Sequence, residues 1–478
     1  MSSTVPPVIS SHLKKELHGA EFFTLSFGAI IGVGWIVVLG DWLGKAGPLG
    51  AILAFLAGGV VTLLIGFCYA ELAALLPASG GEVAFTYELF GIRRCYVVGW
   101  YLILNYLSTV VFEAASIGWV AETLAPYLRG PALYTVRGDQ VHAGSLVLGI
   151  LGMAVITGVN YWGIKPAARV QSILTYGMIL LFVTVVFAGI TWGKFAHLEP
   201  LLAGATWKAA WSGMLGVFLT TPFWIAGFNT VAQVLEEKAQ NTSLELVGRI
   251  VVMSIGAATL FYCLIILACS MTMPWQGLLH LNLPAATSFE TAFHSPLLSR
   301  FVLIMGLLGS ITVWNSVFIA ATRVLFALGR AQIIAPRFAA IVPATGAPGV
   351  AVVFAGCVGC CGVLLGRSAI LPMVNLASCC FAIPYFFVCY GVFKVRRRKW
   401  ISPYRAPCGN VTAIAGAVVS LFIMVFSLYQ PYRNAGNRVP LEWWLFLWWS
   451  VVGGLLWISA RAIRGQLHEE DRRKAILR

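Results

Sequence analysis

Apolar runs of about 20 residues recur from one end of the 478-residue sequence to the other, and they constrain the fold more than any other feature. Each run is long enough to cross a hydrocarbon layer about 30 Å thick as a helix, a structure that satisfies its own backbone in lipid. Only 10% of the residues are charged, against about 25% in soluble domains. The sequence therefore predicts an all-α, polytopic membrane protein.

Twelve transmembrane helices fit this pattern, with boundaries good to a few residues. They cover about 22–42, 49–76, 95–124, 143–162, 171–192, 211–236, 246–273, 298–328, 349–366, 370–394, 410–429 and 441–463. No small-residue cleavage site follows the first run, so we expect a retained span and not a signal peptide.

An even number of spans places both termini on one side of the membrane. The segments on that side hold 23 of the 32 basic residues. The positive-inside rule therefore predicts an integral protein of the plasma (inner) membrane with cytoplasmic N- and C-termini. The same bias accounts for the net charge of +14, so nucleic acid is not expected as a partner.

Glycine and proline interrupt two of the spans. Span one contains Gly28, Gly32 and Gly34, and span six contains Pro222 and Gly227. Helices weakened in this way are expected to unwind within the membrane, where their free N–H and C=O groups need partners. The alternative for the glycines is close helix packing of the G-x-x-x-G type.

The two interrupted spans lie five spans apart and are therefore inverted relative to one another, an arrangement typical of a transporter site near the bilayer midplane. Spans one to five and six to ten then form two repeats. The expected divisions are a cytoplasmic tail at 1–21, the first inverted repeat at 22–192, the second at 211–394, spans eleven and twelve at 395–463, and a cytoplasmic tail at 464–478.

Five motifs occur in order between about residues 20 and 350. They are Gly28-x-x-x-Gly32-x-Gly34; Tyr69-Ala-Glu71-Leu72 with Leu76-Pro77-x-x-Gly80-Gly81-Glu82-x-x-x-Thr86-Tyr87; Gly158-Val-Asn160-x-x-Gly163 with Gln171; Gly227-Phe228-Asn229 with Glu236, Glu237 and Asn241; and Asn315 with Arg323-Val-Leu-Phe-Ala-x-Gly329-Arg330 and Pro348. Together they resemble the motifs of the amino acid, polyamine and organocation superfamily of permeases.

The resemblance implies a LeuT-like, five-plus-five inverted-repeat fold that moves amino acids or amines by alternating access. Two positions depart from the family pattern. Met178 stands where some members carry a lysine in place of a sodium ion, and Asn229 replaces the usual aspartate. These departures leave the coupling ion open.

The resemblance also implies a substrate site made largely of backbone. The carboxylate of an amino acid would bind the amides of Val33 and Gly34. Its ammonium would bind the carbonyls of Ala29, Ile30, Phe223 and Ile225, with Gly32 and Gly227 within the interruptions. Trp224 is either an aromatic gate or a packing residue, and Phe228 is a second aromatic candidate.

Glu113 lies near the middle of span three, on one helix face with Asn105, Thr109 and Ser116. A carboxyl group at mid-bilayer must be paired, protonated or hydrated. It either couples protons, or balances an amine on the substrate, or holds helices together as a protonated group. Asn315 of span eight either lines a cavity or joins helices.

Four further glutamates, Glu71, Glu82, Glu236 and Glu237, fall at helix ends on the cytoplasmic side. There they are expected to form ion pairs with residues such as Arg93 or Arg330.

These observations predict a secondary active transporter for amino acids, proton-coupled or exchanging, with a polyamine or other organic amine as the alternative substrate. An enzyme is disfavoured because the seven histidines are scattered and no nucleophile motif occurs. A channel fits interrupted, inverted helices less well than a carrier. The expected partners are an amino acid or amine and membrane lipid, and the oligomeric state stays open. No cofactor or metal is expected, because Cys357, Cys360 and Cys361 lie in a Gly/Val-rich helix as packing residues.

Overall fold

The computed structural model describes residues 13–281, 283–436 and 438–477, and nearly all of its regular structure is helical. Before residue 200 the helices are α1 (Gly19–Gly28), α2 (Gly34–Leu75), α3 (Glu82–Phe90), α4 (Ile92–Leu124), α5 (Ala143–Tyr161) and α6 (Ile164–Trp192). The next group is α7 (Trp207–Phe218), α8 (Thr221–Trp224), α9 (Thr230–Gln233), α10 (Leu244–Thr272), α11 (Pro284–Phe293) and α12 (Pro296–Arg330). The last group is α13 (Gly349–Val363), α14 (Arg367–Arg397), α15 (Asn410–Asn434), α16 (Leu441–Ser459), α17 (Arg461–Arg464) and α18 (Glu469–Leu477).

Nine helices in the described part of the chain are long and apolar enough to cross a membrane. Large apolar side chains on the outermost of them face outward, as Trp448 and Leu455 of α16 do with 62% and 63% of their surface exposed. Exposure of that kind is favourable in hydrocarbon and costly in water. The chain is an integral membrane protein.

The first predicted interruption is present. Helix α1 ends at Gly28, the chain runs without regular helical structure through residues 29–33, and α2 begins at Gly34. Helix α2 continues past Gly47, where φ is 71°, to Leu75, so the first two predicted spans share one element with a kink between them.

The second predicted interruption is also present. Helix α7 ends at Phe218, and the single turns α8 and α9 follow, separated by residues 225–229. Pro222 occupies an early position of α8, where its missing N–H costs nothing. Segments this short have few helical hydrogen bonds of their own, so neighbouring helices hold them in place.

The expectation of an all-α chain is wrong in one place. Strands β1 (Ala132–Val136) and β2 (Asp139–His142) form an antiparallel hairpin between α4 and α5. Its two-residue turn contains Arg137 and Gly138, both with positive φ, which is the geometry of a tight hairpin turn. The hairpin lies in a connection between spans and does not alter the helical core.

Both described chain ends pack near the C-terminal end of α12. Leu13 contacts Phe326 in a small apolar cluster, and the guanidinium of Arg472 in α18 donates to the carbonyl of Ala331 at 3.1 Å. The amide of Leu17 donates to the carbonyl of Glu237 at 2.9 Å. We call the side of the molecule where both ends lie the termini face.

Candidate functional site

The two interruptions contact one another in the centre of the helix bundle. Gly227 adopts a φ of 123°, which side chains rarely tolerate, and a Cβ there would overlap the carbonyl oxygen of Ala29. A Cβ on Gly34 would lie 2.6 Å from the ring of Trp224. Both glycines therefore permit a close approach between the interrupted segments that a larger residue would prevent.

Backbone groups at the first interruption lack partners of their own. Among the described residues, the amides of Gly32, Val33 and Gly34 donate to no backbone carbonyl, and the carbonyls of Ala29 and Ile30 accept no hydrogen bond. Free N–H groups at the start of a helix carry partial positive charge, and free carbonyls at the end of a helix carry partial negative charge. The segment offers donors for an anion beside acceptors for a cation.

The second interruption contributes less free backbone than the resemblance implies. The carbonyl of Phe223 accepts from the amide of Ala226 at 3.3 Å, whereas no hydrogen bond to the carbonyl of Ile225 occurs in the described chain. The Phe223 side chain is 37% exposed.

Two aromatic residues of the second interruption each pack against other aromatic rings. The ring of Trp224 packs edge-on against Trp42, with ring centroids 5.3 Å apart. Phe228 is fully buried and stacks on Tyr385 at 5.4 Å. These packing partners fit the alternative interpretation of Trp224 as a packing residue, and the indole Nε1–H of Trp224 is buried without a partner in the described structure.

The carboxyl group of Glu113 lies beside the first interruption. A Cβ on Gly32 would be 3.5 Å from Oε1 of Glu113. The hydroxyl of Ser116 donates to Oε2 at 3.2 Å, and Ser310 of α12 also donates to Oε2. Glu113 is 4% exposed, and no cation pairs with it among the residues described.

The other polar residues predicted for the site form hydrogen bonds within or between helices instead. The Asn105 amide donates to the carbonyl of Ala377 at 3.0 Å, and Thr109 donates back to the carbonyl of Asn105 at 2.9 Å. Asn315 is fully buried, donates to Gln171 at 3.0 Å and accepts from Asn160 at 2.9 Å. Asn315 thus joins α5, α6 and α12, as the helix-joining alternative expects.

Three of the four glutamates at the termini face form buried ion pairs. Glu236 pairs with Arg330, Glu237 with Arg323 and Glu71 with Arg396, each through two hydrogen bonds from one guanidinium. The ion-pair expectation is wrong for Glu82, which neutral side chains surround, and Arg93 pairs with none of the four in the described chain. Sequence reasoning missed Tyr106 and Gln233 of this neutral cluster, because nothing in their local motifs marks them.

A sequence model described as amino acid permease matches residues 20–456. The branched-chain amino acid permease BcaP of Bacillus subtilis (strain 168) is 24% identical over 450 residues, covering 92% of this chain and 92% of the relative.

Two further relatives extend the comparison. The methylthioribose transporter of Bacillus subtilis (strain 168) is 24% identical over 462 residues, covering 94% of each chain. The Asc-type amino acid transporter 1 of Mus musculus is 28% identical over 428 residues, covering 87% of this chain and 77% of the relative. All three relatives are named as permeases or transporters.

Proposed function

Because the chain belongs to the amino acid permease family, within the amino acid, polyamine and organocation superfamily, we propose that it is a secondary active transporter that moves amino acids by alternating access. The chain is a membrane transporter and not an enzyme. The observation that supports an amino acid as substrate is the pairing of free amides with free carbonyls at one interrupted helix.

An amino acid carries an ammonium and a carboxylate, and each must exchange its water for protein partners to enter the membrane. The amides of Gly32, Val33 and Gly34 suit the carboxylate, and the carbonyls of Ala29 and Ile30 suit the ammonium. The carbonyl of Ile225, which comes from the second interruption, completes the acceptor set. Phe223, Trp224, Gly227 and Phe228 would shape the space for the substrate side chain.

We infer a twelve-helix architecture with two inverted repeats of five spans, residues 22–192 and 211–394, with spans eleven and twelve at 395–463. Its support is the pair of interruptions five spans apart and the packing of both chain ends on one face. The basic residues favour a cytoplasmic termini face and location in the plasma membrane.

Coupling to protons is the mode that Glu113 supports best. Its carboxyl group is buried within reach of the first interruption and is held by two serine hydroxyls, which can serve either its charged or its neutral form. A cation pair would instead fix the charge. Exchange of one amino acid for another is the second mode, and uptake by Glu113→Gln distinguishes the two.

Thermal unfolding of the purified protein tests the substrate class. The ligands are the neutral, acidic and basic amino acids, monoamines, a polyamine, and methylthioribose because one relative is named for it. We expect one group of amino acids to raise the melting temperature, because a ligand that binds only the folded state stabilises it. Stabilisation by amines or methylthioribose without any amino acid would overturn the proposal.

A pair of glycine variants tests the site. Gly227→Ala places a methyl group against the Ala29 carbonyl, so we expect loss of the ligand-induced shift in melting temperature. Gly216→Ala is the matched control, because a Cβ at this α7 position meets no atom within 4 Å. Equal ligand responses in the two variants would contradict the proposed site.

A further inference from the structure

Glu82, the first residue of α3, is a fully buried carboxylate surrounded by neutral donors. The hydroxyl of Tyr69 donates to its Oε1 at 2.9 Å and the amide of Asn229 donates to the same oxygen at 3.0 Å. The amide of Gln233 donates to Oε2. Asn229 and Gln233 belong to the second interruption and α9, so Glu82 ties that segment to α3.

The titratable groups that face Glu82 carry no positive charge. They are Tyr69 of α2, Tyr106 of α4 and Tyr385 of α14. The guanidinium of Arg323 on α12 binds Glu237 at 2.7 Å and forms no ion pair with Glu82 in the described structure. Glu82 therefore has no ion-pair partner among the described residues.

One hydrogen-bond acceptor in this network lacks a donor. The amide oxygen Oε1 of Gln233 is buried without a hydrogen-bond partner in the described structure, which is uncommon for a buried polar atom. If Glu82 carried a proton on Oε2, a half-turn of the Gln233 amide would let Oε1 accept that O–H. The network therefore accommodates either protonation state of Glu82 without moving its backbone.

Burial raises the pKa of the Glu82 carboxyl from 4.5 to about 7, although the hydrogen bonds from Asn229, Tyr69 and Gln233 act in the opposite direction. In water the same carboxyl would have a pKa near 4. The Glu82 carboxyl thus binds a proton more tightly when α3 and α9 are in contact than when the two are apart and the carboxyl is hydrated.

We propose that Glu82 takes up one proton from the termini face when α9 closes against α3 and releases it when the two separate. The proton moves from water to Oε2 of Glu82 on closing and returns to water on opening. This inference deepens the proposed function and rests on it, because it makes Glu82 a second proton-binding group besides Glu113.

The sign of the effect follows from linkage. Since the closed state has the higher pKa, it binds more protons, so low pH favours closure and high pH favours opening. If opening returns the carboxyl from a pKa of about 7 to its ordinary value of 4.5, the ratio of open to closed molecules rises about tenfold from pH 6 to pH 8.

A cysteine at residue 79 reports this opening. Ser79 is fully buried and its hydroxyl donates to the carbonyl of Gln233 at 3.4 Å, so the position becomes reachable only when α9 moves. The parent protein carries Ser79→Cys with Cys357, Cys360 and Cys361 replaced by alanine. Labelling with a membrane-impermeant thiol reagent is measured relative to exposed Cys408, which corrects for the pH dependence of thiol reactivity.

We expect the labelling ratio of residue 79 to residue 408 to rise about tenfold between pH 6 and pH 8. Glu82→Gln should hold the ratio at its pH 6 value, and Glu82→Asp should restore a rise. A flat ratio in the parent protein, or a rise that survives Glu82→Gln, overturns the inference.

The labelling assay needs no substrate, so it separates this inference from the proposed function. A pH-dependent ratio in a protein that amino acids do not stabilise would leave Glu82 as the proton-binding group of a gate and reject the substrate class. A flat ratio in a protein that amino acids do stabilise would reject the role of Glu82 alone.

Discussion

Two sets of glutamates in this molecule are equally buried, but one set has cationic partners and the other has neutral partners. Glu236 and Glu237 at the termini face are each held by a guanidinium, whereas Glu82 and Glu113 are held by hydroxyls and amides. A neighbouring cation favours the charged form, while burial among neutral donors leaves both forms accessible. The comparison separates carboxylates that fix the structure from carboxylates that can change charge.

The largest expected effect comes from breaking a pair of the first set. Arg323→Leu leaves Glu237 buried, 1% exposed, without its cation, and we expect about 3–5 kcal/mol of destabilisation because an uncompensated buried charge is costly. Thermal or denaturant unfolding in detergent measures the loss. The double variant Arg323→Leu with Glu237→Leu should recover most of it, and a double variant as unstable as the single one would contradict this account.

The next effect is the dependence of stability on pH through Glu82. Its pKa is about 7 in the folded protein and 4.5 as an ordinary carboxyl, so folding binds a proton between these values. Stability should therefore fall by about 3 kcal/mol as pH rises from about 4.5 to 7 and level off above that. Melting curves of wild type and Glu82→Gln over this range isolate the contribution.

Glu82→Gln should lack that fall, because the amide cannot ionise. Glu236→Gln is the matched control: it removes a buried carboxylate that is paired with Arg330, so its melting temperature should be lower but should follow pH as the wild type does. If the melting temperatures of wild type and Glu82→Gln changed with pH in parallel, Glu82 would behave like the ion-paired glutamates Glu236 and Glu237.

A functional effect of about tenfold or more is expected at Glu113. Glu113→Gln keeps the hydrogen bonds to Ser116 and Ser310 in reach but removes the titratable group. If Glu113 couples protons, uptake driven by a pH gradient into proteoliposomes should fall at least tenfold while exchange of substrate persists. Unchanged gradient-driven uptake would assign Glu113 to helix packing, and loss of both activities would assign it to substrate binding.

The smallest effect is expected at an ion pair that is not buried. Arg473 of α18 donates to Glu88 at 2.8 and 2.6 Å, but its side chain is 58% exposed. Arg473→Gln should cost about 0.2–1 kcal/mol, and the cost should shrink in high salt. A loss comparable to that of Arg323→Leu would show that exposure does not separate these pairs.

The sequence was sufficient to predict the elements that depend on local composition. The interruptions near Gly32 and Gly227 followed from glycine and proline within apolar runs. That glutamates at helix ends would form ion pairs, with Arg330 among the partners, followed from the charges there. The hairpin at Ala132–His142 was missed because its strands lie in a short connection, without the apolar alternation of a buried sheet.

Contacts between distant segments could not be predicted in the same way. Gln233 reaches Glu82 from a position 151 residues away, and Tyr106 joins the network by accepting from Gln233 and Asn229. Which carboxylate meets which cation likewise depends on how distant helices pack. Asn315 and Asn105 show the same limit, because a polar residue within a span has similar local sequence whether it lines a path or joins helices.

The docking of residue 17 beside residue 238 also sets an order of events during synthesis. The amide of Leu17 donates to the carbonyl of Glu237, and the amide of Ala239 donates to the carbonyl of Leu17, so this pairing cannot form until more than two hundred residues have left the ribosome. Contacts of such long range form late and slowly. The contact of residue 17 with residues 237 and 239 therefore closes the termini face only after the middle of the chain has been synthesised.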